Sequence, residues 1–260
     1  MNSELIRNDF PILKTKVGGH QIVYFDNAAT TQRPLPVVNA VLDYTTHENG
    51  NPHRGAHIFA ISASEAYDTS KEVVRDFIHA RSEKEIIYTR NTSESLNLVA
   101  RSYGETHLKA GDHILITIAE HHSNLVTWQR VAQKTGATLD YIYVDKETGH
   151  FPEEELKKID DPRVKLFAFA EVSNVLGIDF DPKPLIQRAH AHGAIVVLDG
   201  AQSTPHKPVD VQDLDCDFFA FSGHKMCSMG GIGVLYGKEE LLNDMEPFLM
   251  GGDMIEDVHE

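Results

Sequence analysis

The chain has 260 residues and a formal net charge of −15, with 41% hydrophobic and 24% charged residues. This is the composition of an ordinary globular protein with one large domain, or with one domain and part of another. The acidic balance argues against nucleic acid and anionic membranes as partners. Two cysteines are too few for a disulfide framework, and the N-terminus lacks an apolar leader, so we expect a cytoplasmic protein.

Apolar runs alternate with amphipathic segments along most of the chain. We predict helices over residues 3–10, 36–48 and 62–79, and a short strand over residues 23–25. Further along, strands at 85–89, 113–118, 138–144, 164–170, 194–198, 218–221 and 232–236 are interleaved with helices at 93–103, 125–134, 152–159 and 184–192. Buried strands separated by helices predict an α/β fold, with a mostly parallel central sheet and helices on both faces in three α/β/α layers.

Polar side chains follow the ends of these strands, where such sheets bind ligands. Thr92 and Ser93 open a helix, which suits either an anion site or a plain helix cap. His121 and His122 follow another strand, where a ring could stack on a flat ligand, cap a helix or face water. Asn174 offers an amide after a third strand.

The last strand ends carry the strongest chemical signal. Asp199 follows four apolar residues, and a carboxylate is costly to bury there without a cation or hydrogen-bond donors. Lys225 follows another apolar run, beside Ser222 and His224; it either faces solvent or is a shielded amine that can form a Schiff base. An anion cradle, a stacking ring, a carboxylate and a lysine are together what pyridoxal phosphate requires.

No metal site is predicted. His53 and His57 lie four residues apart, but no glutamate stands between them as in the zinc-binding H-E-x-x-H pattern.

Seven short motifs resemble, in order, those of cysteine desulfurases of the group that serves the Suf iron–sulfur system, in the class V aminotransferase family of fold-type I enzymes. They lie at residues 26–32, 52–55, 91–94, 120–124, 173–177, 199–202 and 222–225. The similarity extends over nearly the whole chain, from about Phe10 to Ile255. Selenocysteine lyases share the same motifs, so selenocysteine stays open beside L-cysteine as the substrate.

The resemblance implies a role for each site residue. Lys225 would form the Schiff base with pyridoxal 5′-phosphate, Asp199 would pair with the ring nitrogen, and Gln202 would bond the ring hydroxyl. The remaining roles would be ring stacking by His121, with His122 as the alternative, and phosphate binding by Thr92, Ser93, Ser222 and His224. Ala28 and Ala29 would line the substrate pocket, and Asn174 would lie near the substrate carboxylate or the ring hydroxyl of the cofactor.

It also implies an activity and partners. A cysteine desulfurase takes sulfur from L-cysteine and leaves L-alanine, works as a homodimer and passes the sulfur to an acceptor protein. We divide the chain into an N-terminal segment, residues 1–20, and a cofactor-binding large domain, residues 21–260. The family's smaller C-terminal domain, with its substrate-binding arginine and sulfur-accepting cysteine, is not recognised in these residues.

Two departures from the family pattern shape the expected activity. Residues 228–231 replace a Gly-Pro-Thr-Gly loop with Ser-Met-Gly-Gly. Cys216 is expected to be a small core residue, and Cys227 lies near the lysine without the marks of the family nucleophile. We therefore expect an incomplete desulfurase; the alternatives are a non-catalytic shortened homologue, or a binding module, and a selenocysteine lyase.

Overall fold

The computed structural model describes residues 3–252. The chain begins with helix α1 (Ser3–Asn8) and a small antiparallel hairpin of β1 (Lys16–Val17) and β2 (His20–Gln21). The other helices are α2 (Leu35–Asp43), α3 (Ile58–Phe77), α4 (Thr92–Val99), α5 (Glu105–His107), α6 (His122–Thr135), α7 (Glu153–Leu156), α8 (Pro182–Ala191), α9 (Val211–Leu214) and α10 (Glu239–Asn243). Within the described residues, every helix is too short or too polar to cross a bilayer.

A seven-stranded sheet forms the centre of the molecule. Its strands are β3 (Ile86–Thr89), β4 (His113–Thr117), β5 (Thr138–Ile142), β6 (Val164–Ala170), β7 (Ile195–Asp199), β8 (Phe218–Ser222) and β9 (Gly233–Gly237). They lie in the order β3-β9-β8-β7-β6-β4-β5. Only β9 runs against its neighbours, so the sheet is mostly parallel, as the sequence predicts.

Alternation along the strands creates two cores, one on each face of the sheet. On β6, Phe167 and Phe169 face one core, while Leu166 and Ala168 face the other, because successive side chains of a strand point to opposite faces. Helix α8 packs Ile186 into the first core, and α6 packs Trp128 into the second. The predicted fold, a three-layer α/β/α arrangement, is confirmed.

The sequence prediction is wrong over residues 23–25, where the structure has no strand. Val23 is 71% exposed and Phe25 93% exposed, so this apolar run does not pack against the sheet. A strand needs a neighbour to satisfy its backbone groups, and three apolar residues alone do not supply one. Residues 253–260, which the predicted large domain includes, lie outside the described residues.

The amino-terminal edge of the sheet is held by a buried ion cluster. Asp217, directly before β8, accepts hydrogen bonds from the Val196 amide (2.7 Å) and from Lys238 (2.8 Å), and it pairs with His190 at 2.8 Å. Burial opposes the charged carboxylate, but these donors outweigh it and lower the pKa of Asp217. The hydrogen bond to Asp217 raises the pKa of His190.

Replacing Asp217 with Asn should lower the free energy of unfolding by roughly 3–5 kcal/mol, because it leaves partly buried cations without their carboxylate. Urea unfolding at pH 6 measures this. The control is Asp213→Asn, which removes an exposed ion pair with Lys183 and should change stability by about 0–1 kcal/mol.

The pH dependence gives the sign of each contribution. The stabilisation from protonated His190 is fully present below its unfolded pKa and is lost as the pH rises through its raised folded pKa. The stabilisation from ionised Asp217 is present above its unfolded pKa, and it is lost as the pH falls through its lowered folded pKa. The difference between wild type and Asp217→Asn should therefore narrow at both ends of the pH range; a constant difference would contradict the cluster's role.

Candidate functional site

A cavity of about 490 Å³ opens at the carboxyl edge of the sheet. Its walls come from the turns that follow β3, β4, β6, β7 and β8, together with a segment near the N-terminus. All eleven predicted site residues line it: Ala28, Ala29, Thr92, Ser93, His121, Asn174, Asp199, Gln202, Ser222, His224 and Lys225. The volume lies within the range of small-molecule sites.

Lys225 closes a single helical turn, Gly223–Lys225, directly after β8. The side chain is half-buried, and burial lowers the pKa of its amine, while the negative charge of Asp199 partly opposes the shift. A larger share of the amine is therefore neutral than for a lysine in water. A neutral amine is the form that attacks a carbonyl carbon.

Asp199 is the last residue of β7 and is buried. Burial raises the pKa of its carboxyl group, and the Ala201 amide, which donates at 2.9 Å, and Lys225 act in the opposite direction. Gly200 lets the backbone pass close to Phe219, because a Cβ at this position would lie 2.0 Å from that ring. The carboxyl group thus faces the cavity with one backbone donor and space for a cationic partner.

The N-terminus of α4 forms the polar end of the cavity. The Ser222 hydroxyl accepts from the Thr92 amide at 2.8 Å and lies 2.6 Å from the Thr92 hydroxyl, which fixes α4 to the end of β8. Asn91 caps the helix by accepting from the Glu94 amide at 2.9 Å. Within the described residues, nothing accepts from the Ser93 amide, so a backbone donor and the helix dipole remain for an anion.

His121 caps α6, and its Nδ1 accepts from the Ser123 amide at 3.1 Å. The neutral ring therefore carries its proton on Nε2. Burial, with the charges of Lys225 and His122, lowers the pKa of His121 and favours that neutral form. His121 lines the cavity, whereas His122 is the first residue of α6 and does not.

The remaining predicted residues close the cavity. Gln202 donates from Nε2 to the Ala28 carbonyl at 2.8 Å, which holds the N-terminal segment over the sheet edge. His224 places Nδ1 3.1 Å from the Thr30 hydroxyl, and burial, Lys225 and Arg33 lower its pKa. Asn174 lies in the wall after β6.

The residue that the sequence analysis missed is Thr31. Its amide donates to the His224 carbonyl at 2.9 Å, and its hydroxyl donates to the same carbonyl at 3.0 Å and accepts from the Cys227 amide at 2.7 Å. Thr31 thus forms hydrogen bonds to the chain on both sides of Lys225. It stands in the motif at residues 26–32, but no local pattern in that motif points to a contact almost 200 residues away.

The two cysteines differ in their surroundings. Cys216 is fully buried in the core, as predicted, and burial raises the pKa of its thiol. Cys227 is half-buried and has a left-handed backbone with a φ of 68°. Non-glycine residues seldom adopt that conformation, and the Thr31 hydroxyl helps to hold this one in place.

This is the fold of the fold-type I family. The aminotransferase class-V family profile matches residues 23–260, and the chain belongs to that family. Pyridoxal phosphate is the cofactor of the family.

The relatives are named cysteine desulfurases. A probable cysteine desulfurase of Halalkalibacterium halodurans is 49% identical over 98% of this chain, and one of Synechocystis is 49% identical over 97%. A cysteine desulfurase structure from Thermococcus onnurineus superposes with a TM-score of 0.91 at 43% identity over the whole chain, and one from Escherichia coli with 0.89 at 40%. The chain spans about three fifths of the length of these proteins: 63%, 60%, 63% and 63%.

The groups that line the cavity fit pyridoxal phosphate, independently of the comparisons with relatives. A buried carboxyl group with a single backbone donor suits a protonated ring nitrogen, and a helix N-terminus with hydroxyls beside it suits a phosphate. Lys225, whose pKa is lowered by burial, lines the same cavity.

Removing the Thr31 hydroxyl should loosen the turn that carries Lys225. Thr31→Val loses two hydrogen bonds, so we expect the free energy of unfolding to fall by about 1–3 kcal/mol and pyridoxal phosphate to bind about tenfold more weakly. Urea unfolding and a spectroscopic titration measure the two effects. Thr31→Ser keeps the hydroxyl and should retain most of both; wild-type cofactor affinity in Thr31→Val would show that the contact does not position Lys225.

Proposed function

We propose that this chain binds pyridoxal 5′-phosphate through Lys225 and carries the cofactor-dependent part of a cysteine desulfurase reaction, which takes sulfur from L-cysteine and leaves L-alanine. The observation that carries the proposal is the cavity itself. It combines a half-buried lysine, a buried carboxyl group and a helix N-terminus at one sheet edge. The names of the relatives support the substrate.

The proposed binding roles are those that the resemblance to cysteine desulfurases implies. Lys225 would hold the cofactor aldehyde as a Schiff base, and Asp199 would pair with the ring nitrogen. Gln202 would bond the ring hydroxyl, and His121 would lie against the ring face. Phosphate binding falls to Thr92, Ser93, Ser222 and His224, which surround the start of α4.

When bound, pyridoxal phosphate would withdraw electrons from the substrate Cα and make the Cα–H acidic. Once the substrate amine has displaced it from the cofactor, Lys225 would take that proton on Nζ, because burial keeps a share of the free amine neutral. Asp199 would pair with the protonated ring nitrogen. His121 keeps its proton on Nε2, since Nδ1 is occupied by the Ser123 amide.

On the substrate side, Ala28 and Ala29 leave room for a small amino acid, and Asn174 offers an amide to its carboxylate. We propose L-cysteine as the substrate, with selenocysteine as the alternative, because the motifs of the two enzyme classes coincide. We further propose a cytoplasmic homodimer that passes sulfur to an acceptor protein for iron–sulfur cluster assembly of the Suf type.

The family's substrate-binding arginine and sulfur-accepting cysteine have no recognised counterpart in these 260 residues. We therefore propose that this stretch binds the cofactor but, on its own, releases sulfur slowly. The large domain, residues 21–260, would supply the cofactor chemistry, and residues 1–20 would form a separate N-terminal segment.

Cofactor binding is tested by adding pyridoxal phosphate to the purified chain. We expect a visible absorption band, and borohydride reduction followed by peptide mass spectrometry should find the cofactor attached to Lys225. Lys225→Ala should abolish both signals, whereas Lys183→Ala, which removes an exposed ion pair outside the cavity lining, should retain them. A wild-type chain without the band would overturn the proposal and favour a non-catalytic binding module.

Turnover is tested with L-cysteine and a reducing thiol, by measuring alanine and sulfide. We expect little product from the 260 residues alone, and Cys227→Ser should behave like wild type. Robust turnover that Cys227→Ser abolishes would instead identify Cys227 as the sulfur acceptor. Faster release of selenium from selenocysteine than of sulfur from cysteine would favour the lyase.

A further inference from the structure

Glu120 is a buried acid that the proposed mechanism does not use. It lies in the turn between β4 and α6, immediately before His121, and it is only 9% exposed. Acidic side chains are seldom buried without a specific arrangement of donors or charges. The hydrogen-bond donors around its carboxyl group therefore indicate the role of Glu120.

Three parts of the molecule meet at the Glu120 carboxyl group. Oε1 accepts from the Ala170 amide at 3.1 Å and contacts the Thr117 hydroxyl, at the ends of β6 and β4. Oε2 accepts from the side-chain Nδ2 of Asn124 in α6 at 2.7 Å. The side-chain Oδ1 of Asn124 in turn accepts from Trp128 Nε1 at 2.8 Å. One side chain thus joins two strand ends and one helix directly below the turn that carries His121.

These contacts define part of the cavity wall. Ala170 and His121 both line the cavity, and Glu120 fixes the first through its amide and precedes the second in sequence. Every donor around the carboxyl group is internal, so losing the acceptor would leave buried N–H groups unsatisfied. The position of the His121 turn therefore depends on Glu120.

The charge of Glu120 is set by burial. Burial raises the pKa of its carboxyl group to about 8, against the hydrogen bonds from Thr117, Asn124 and Ala170, and the negative charge of Asp199 adds to the rise. Asp199 on β7 is the charged group that acts on Glu120. Two further titratable groups adjoin its contacts in sequence: His121 follows Glu120, and Glu171, which is paired with Lys207, follows Ala170. Burial thus favours the protonated form of Glu120 at neutral pH, and Asp199 is the nearby buried carboxyl group that lines the cavity.

We propose that Glu120 is a positioning residue whose proton sets the charge beneath the cavity. In the neutral form it links β4, β6 and α6, with its own O–H directed to the Thr117 hydroxyl, which can accept as well as donate, and it adds no charge beside Asp199. In the ionised form it adds a second negative charge, which strengthens proton binding at Lys225 and, if the proposed function holds, at the cofactor ring nitrogen.

The fluorescence of Trp128 can report the protonation of Glu120. Trp128 is the single tryptophan, and its indole N–H is joined to Glu120 through one asparagine. Trp128 fluorescence of the cofactor-free 260-residue chain should change in one step with a midpoint near pH 8. Glu120→Gln should abolish the step, while Glu85→Gln, a buried glutamate at the other sheet edge, and Lys225→Met should retain it.

Two further variants should move the midpoint in opposite directions. Thr117→Val removes a donor to the ionised form, so the midpoint should rise by about one pH unit. Asp199→Asn removes a nearby negative charge, so the midpoint should fall. Both substitutions nearly preserve shape, and urea unfolding verifies that each variant is folded.

The cofactor-bound chain gives the second readout. Its visible band should change with pH at a midpoint that tracks the fluorescence step, and Glu120→Gln should remove that pH dependence. No fluorescence step in wild type, a step that persists in Glu120→Gln, or shifts in the wrong direction would each overturn the inference. Failure of the proposed function looks different, because the cofactor would not bind while the fluorescence step remained.

Discussion

The site depends on the parallel register between β7 and β8. Asp199 pairs with Ala220, so the carboxyl group of one strand and the lysine turn of the next emerge at the same sheet edge. A slip of one residue would turn every side chain of β7 to the other face and move Asp199 away from Lys225. The apolar pairing of Val197 with Phe218 and Leu198 with Phe219 makes such a slip costly, because all four side chains are fully buried.

A second constraint crosses almost the whole chain. Thr31 and Gln202 tie the N-terminal segment to the lysine turn and to the end of β7, so the cavity closes only when residues 26–31 reach the far strands. These contacts are polar and few, whereas the sheet beneath them is held by two apolar cores. The cover of the site is therefore expected to open more readily than the sheet unfolds.

Much of the fold and site was predictable from sequence, because buried strands are short apolar runs and the residues after them gather at one edge. Lys225 and Asp199 were identified in this way, and the cavity includes both. Thr31 was not, since its partners are set by tertiary contact and leave no local periodicity. The strand predicted at residues 23–25 failed for the same reason: an apolar run becomes a strand only where a neighbour completes its hydrogen bonds.

Burial shifts the pKa of each of these site residues toward its uncharged form. It lowers the pKa of Lys225, His121 and His224, and it raises the pKa of Asp199 and Glu120. Both effects favour uncharged groups, so the site residues carry less charge than their residue types suggest. A ligand that brings its own charges reverses this, because an anion at the start of α4 stabilises the protonated lysine and histidines, while a cationic ring nitrogen stabilises ionised Asp199. Binding of such a ligand is therefore coupled to proton exchange, and the acidic chain can accept an anion at this edge without a broad basic surface.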